Sequence, residues 1–87
     1  MNIALDFDGT YTADKEFWKD FIFGCRDNGH KVTIVTMRYP SESITMMQGV
    51  PIVYTSRKAK KIYCEEKGYT FNIWIDDNPE WLFNDAI

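Results

Sequence analysis

Short apolar runs alternate with amphipathic stretches along this chain, and glycine, proline and asparagine mark the breaks between them. Residues 3–7, Ile-Ala-Leu-Asp-Phe, read as a first strand. Residues 14–28 follow as a helix, with Phe17, Phe21 and Cys25 at four-residue spacing and Gly29 as its stop. The β-branched run KVTIVT at 31–36 predicts a second strand. Pro40-Ser41-Glu42-Ser43 opens a short helix that ends at Gly49, and residues 51–55 give a third strand. Ser56 is placed to N-cap a helix running through Lys67, with Gly68 closing it. Residues 71–75 form the last strand, and Asn78-Pro79-Glu80 starts a tail helix that carries Trp81, Leu82 and Phe83.

Strand and helix alternate from end to end, without repeat, low-complexity tract or linker. That pattern predicts an α/β fold: a short parallel sheet with right-handed crossovers and helices on its faces, a Rossmann-like three-layer sandwich. With 87 residues the chain is one domain spanning 1–87, large enough for a single core and too small for a separate substrate-binding domain. Apolar residues make up 45% and aromatic residues 16%, which excludes a disordered acidic segment and offsets small size with bulky side chains.

Two carboxylates interrupt the first apolar run, in Asp6-Phe7-Asp8. A buried carboxylate is costly unless paired, so a compensating cation is expected. A second acidic pair, Asp76-Asp77, follows the last strand, and Thr36 ends the second. Ligands of an open parallel sheet bind beyond the carboxyl ends of its strands, where the direction of the connections reverses. With strand order 4-1-2-3 that reversal falls between the first and fourth strands, which as neighbours lie about 4.8 Å apart. Asp6 and Asp76 would then face each other across a gap suited to one hard cation, and Mg²⁺ takes oxygen ligands of this kind. Arg38, just past Thr36, is a candidate grip for substrate phosphate, with a solvated arginine as the ordinary alternative.

The segments DFDGT, VTMR, a lysine-bearing helix and WIDDNPE, in that order, resemble the four motifs of the haloacid dehalogenase superfamily over nearly the whole chain. The resemblance implies a Mg²⁺-dependent phosphohydrolase. Asp6 matches the nucleophile that forms an aspartyl-phosphate, and Asp8 the group that protonates the leaving oxygen and then activates water. Asp6, Asp76 and the backbone carbonyl of Asp8 match the metal ligands, and Thr36 the hydroxyl that hydrogen-bonds the phosphoryl oxygen. The motif's lysine is matched to Lys60, beside a packed stripe of Ala59, Ile62 and Tyr63; it would stabilise both Asp6 and the transferring group. Lys58 is the reserve and Lys61 faces solvent. Asp77 orders water or the lysine, or serves only as a helix-start residue.

Family members that act on small metabolites often insert a cap domain, for which the spacing between Asp8, Thr36 and Lys60 leaves no room. Residues 9–13 can form only a short flap. An open site suits a phosphorylated polynucleotide end, although a nucleotide or sugar phosphate also fits. The chain is similar, too, to short capless proteins encoded in phage genomes.

A net charge of −3 gives no positive excess for wrapping a nucleic-acid backbone, so nucleic acid enters only as a substrate. Cys25 and Cys64 read as reduced thiols of a cytoplasmic protein, and no apolar stretch is long enough to span a membrane. The segment FWKDFIFGC carries more apolar surface than one buried stripe requires, which favours a homodimer. His30, in the turn NGHK, reads as a surface residue. A competing class of function uses the same residues without turnover: a protein that binds a nucleotide or another phosphorylated ligand. Receiver-type signalling domains also group acidic residues, threonine and lysine around Mg²⁺, but take the lysine from the last strand, where this chain has Asp76.

Overall fold

In the computed structural model, which describes residues 1–87, four strands and two α-helices follow one another, with no helix between the second and third strands. They are β1 (Asn2–Leu5), α1 (Lys15–Asp27), β2 (Lys31–Thr36), β3 (Ile52–Tyr54), α2 (Lys60–Glu66) and β4 (Ile73–Ile75), with 3-10 turns at Tyr11–Ala13 and Pro79–Leu82. All strand pairs are parallel, in the order β3-β2-β1-β4, which counted from the β4 edge is 4-1-2-3. Leu5 pairs with Ile34 on one side and Ile75 on the other. One residue further, the Asp6 amide donates to the Ile75 carbonyl at 2.9 Å, so Asp6 and Asp76 leave the sheet side by side.

Alternation along the strands divides the core in two. Ile3, Leu5, Val32 and Ile34 face Ile22 and Cys25 of α1, while Ala4, Val35 and Val53 face Cys64 of α2 on the opposite side. The two free thiols thus lie in separate clusters across the sheet. α1 begins where the Asp14 carboxylate accepts from the Phe17 amide at 3.2 Å, satisfying one of the free donors of its first turn. Phe17 and Phe23 stay exposed on its outer side. No helix is long and apolar enough to cross a membrane.

Several segments differ from the sequence expectation. No helix forms between Pro40 and Gly49. The loop there is held by long-range bonds instead: Arg26 donates to the Gln48 carbonyl at 2.8 Å, the Ile44 amide to the Tyr54 hydroxyl at 2.9 Å, and Ile44 and Val50 are buried against the core. Ser56 is not a helix cap. Ser56 and Arg57 have φ values of 53° and 68°, and α2 starts only at Lys60, just after Ala59, whose amide donates to Asp85 at 2.7 Å. The stripe expected around Ala59, Ile62 and Tyr63 is also revised, because Ala59 and Cys64 are buried while Ile62 is 46% exposed. β4 is shorter than 71–75, and the tail helix is a single 3-10 turn.

Candidate functional site

The carboxyl ends of β1 and β4 and the start of α2 converge on one open cavity of about 360 Å³. Asp6, Asp8, Thr36, Arg38, Lys60 and Asp76 all line it. At its floor the Lys60 ammonium donates to Asp6 Oδ1 at 2.5 Å and to Asp76 Oδ2 at 2.6 Å. These three side chains are 3–7% exposed, so the contacts form away from bulk water. Burial pushes the Asp6 carboxyl up from its ordinary 3.8 to about 6, against the opposing pull of Lys60. Lys58, the reserve candidate, instead points to Asp85 at 3.9 Å.

Asp77 comes closer to the centre than sequence reasoning allowed. Thr10, 6% exposed, places its hydroxyl 3.0 Å from Asp6 Oδ2 and 2.9 Å from Asp77 Oδ1, and accepts from the Asp77 amide at 3.1 Å. Its single proton serves one carboxylate at a time. The neighbouring Asp6 carboxyl, which takes up a proton more readily, and then the hydrogen bond from Thr10 hold the Asp77 carboxyl below its usual range. Gly9 makes room for this: at φ +86°, a Cβ there would stand 2.6 Å from Asp77 Oδ2.

Oxygens of Asp6, Asp76 and Asp77 lie within 4.8 Å of one another, a hard-donor group able to hold a cation. The three carboxylates and the Lys60 ammonium leave two net negative charges, which a divalent ion balances. Asp77 thus stands beside Asp6 and Asp76 in this group, while the contribution expected of Asp8 is its backbone carbonyl and not its carboxylate. Asp8 turns away and takes Arg38 in a fork, Nε to Oδ2 at 2.9 Å and Nη2 to Oδ1 at 2.8 Å. That guanidinium keeps the Asp8 carboxyl below its ordinary value. Arg38 also lies over the Phe7 ring, 5.2 Å from its centroid.

Thr36 is 1% exposed at the end of β2, and its hydroxyl accepts from the Arg38 amide at 3.3 Å. The sequence reading missed Thr10 as a link between carboxylates and Arg57 as a cation lining the cavity. Thr10 could have been found as the hydroxyl closing DFDGT, and Arg57 from its position just past the carboxyl end of the third strand. His30 is half-buried, and its Nδ1 lies 2.7 Å from the terminal amine of Met1 in an exposed contact. Comparisons of the chain with family models, curated proteins and solved structures return no match.

Proposed function

We propose that the chain is a Mg²⁺-dependent phosphomonoesterase of the haloacid dehalogenase type, a capless Rossmann-like three-layer sandwich that acts on a phosphorylated nucleotide or polynucleotide end. The observation that carries the reading is the buried Asp6–Lys60–Asp76 contact at the sheet's switch point, flanked by Thr36 and Asp8 in one cavity. Acids, a hydroxyl and a lysine gathered where open parallel sheets bind ligands favour a functional site over an ion pair that only holds the fold.

In this reading a carboxylate oxygen of Asp6 attacks phosphorus and the bond from phosphorus to the ester oxygen breaks. Asp8 gives its proton to that leaving oxygen, then takes a proton from the water that attacks the aspartyl-phosphate and releases inorganic phosphate. Lys60 balances charge on Asp6 and the transferring group, and the Thr36 hydroxyl donates to a phosphoryl oxygen. Asp8 can serve as an acid only after Arg38 leaves it; an incoming phosphate offers Arg38 an alternative forked partner, and release from the guanidinium lets the Asp8 pKa rise. Mg²⁺, held by Asp6, Asp76 and the Asp8 carbonyl with Asp77 beside them, would supply charge neutralisation for an attack between anions.

Hydrolysis of an aryl phosphate with and without Mg²⁺, by the wild type and by Asp6→Asn, tests this. Metal-dependent turnover that disappears in the variant is expected; equal turnover by Asp6→Asn removes Asp6 as nucleophile. The second reading, a binder of phosphorylated ligands without turnover, is favoured by the Arg38 fork on Asp8, and tight ligand binding without product at any Mg²⁺ concentration selects it.

A further inference from the structure

The cavity has three cationic side chains, and two are committed to its own acids: Lys60 to Asp6 and Asp76, Arg38 to Asp8. Arg57 is the third. Its only acidic partner is Glu42, outside the acidic group, with Nη2 3.0 Å from Oε1 and 3.1 Å from Oε2. The Glu42 side chain is 42% exposed, so an anion from solution can compete for that contact.

The rest of Arg57 is fixed. Nη1 donates to the Met37 carbonyl at 2.9 Å and the guanidinium lies over the Tyr39 ring, 5.1 Å from its centroid. Its backbone has a positive φ of 68°, and that of Ser56 a φ of 53°, a conformation that non-glycine residues rarely adopt. Three bonds hold the turn there: Ser56 amide to Arg38 carbonyl at 3.3 Å, Arg57 amide to Met37 carbonyl at 2.8 Å, and Ala86 amide to Arg57 carbonyl at 2.8 Å. A strained, anchored turn thus presents an oriented guanidinium on the rim, with a displaceable carboxylate in the place of an anion.

Resting on the phosphatase reading of the same cavity, we infer that Arg57 binds a second phosphate group of the substrate, distinct from the one removed. The substrate class is then a molecule with two phosphates, either a nucleoside bisphosphate or an oligonucleotide whose terminal phosphate is followed by a phosphodiester. Glu42 holds the guanidinium ready until that group displaces it.

The test is calorimetric binding to the Asp6→Asn protein with Mg²⁺, using thymidine 3′-phosphate, thymidine 3′,5′-bisphosphate and a 3′-phosphorylated dithymidine with one internal diester. A second phosphate, in at least one of the latter two, is expected to tighten binding about tenfold over the monophosphate. A gain confined to the bisphosphate identifies a small molecule as the source, and a gain with the dinucleotide a polynucleotide end. Adding Arg57→Ala should reduce the ratio to about twofold or less, and Arg57→Lys should restore only part of it, because lysine lacks the fork. Glu42→Gln should raise the ratio by freeing the guanidinium, a gain that a purely structural Glu42–Arg57 contact does not produce. Equal affinity for all three ligands, or a ratio unchanged in both Arg57→Ala and Glu42→Gln, overturns the inference. Binding is read without turnover, so failure of the phosphatase reading shows separately, as absent aryl phosphate hydrolysis by the wild type.

Discussion

Replacing Asp6 with asparagine should make the metal-free protein more stable at pH 8. The Asp6 carboxyl titrates near 6 in the folded chain, against 3.8 when exposed, so the folded state holds its proton more tightly. Between those two values the native state binds more protons than the unfolded one, and stability falls as pH rises through the window. Above pH 6 the full penalty of keeping Asp6 ionised is present, about 3 kcal/mol at 1.36 kcal/mol per pH unit. Below about pH 4 it is absent. Asparagine keeps the shape, still accepts from Lys60 and never ionises, so it escapes the penalty. Thermal unfolding followed by circular dichroism in chelator, at pH 4, 6 and 8, should show a gain that grows with pH and reaches roughly 10 °C or more at pH 8. Added Mg²⁺ should close the gap by stabilising the wild type, by about 2.7 kcal/mol at a hundredfold excess over Kd. A variant less stable than the wild type at pH 8, or a difference that ignores pH, refutes the account of Asp6 as a carboxylate ionised at a cost.

Lys60→Ala should destabilise by about 3–5 kcal/mol in urea unfolding, because it strands two buried carboxylates, and adding Asp6→Asn to it should recover part of the loss. Gly9→Ala should cost about 1–2 kcal/mol for its left-handed backbone and also weaken stabilisation by Mg²⁺, since the new methyl group displaces Asp77. Cys64, whose thiol burial pushes up to about 11, and the buried Cys25 should react with a disulfide reagent at pH 7.5 only slowly in the native protein and rapidly in denaturant.

Where local chemistry decides, the sequence was readable. The β-branched run at Lys31–Thr36 is a strand to the residue, and α1 starts beside Asp14 and stops before Gly29. Asp6, Asp8, Thr36 and Asp76 could be picked out because acids and a hydroxyl at strand ends share one edge of a parallel sheet, whereas Lys60, on a helix, is matched only through the motif resemblance. Legibility fails where distant contacts override local preference. Ser41-Glu42-Ser43 looks like a helix start, but Glu42 is drawn to Arg57 and to the Tyr39 amide, and Ile44 to the core. Lys60 shows the same limit: its expected neighbour Ile62 is exposed, and its place is set by two carboxylates from opposite ends of the chain. The fork between Asp8 and Arg38 spans 30 positions, beyond the reach of any local pattern.

Because β4 inserts beside β1, the acidic centre is completed only when the final strand docks. A nascent chain lacking residues 73–77 has Asp6 and Lys60 but neither Asp76 nor Asp77, so it cannot assemble the three-carboxylate group. Under the proposed reading, metal-dependent stabilisation would accordingly report on the chain with its last strand docked and on no shorter folding intermediate.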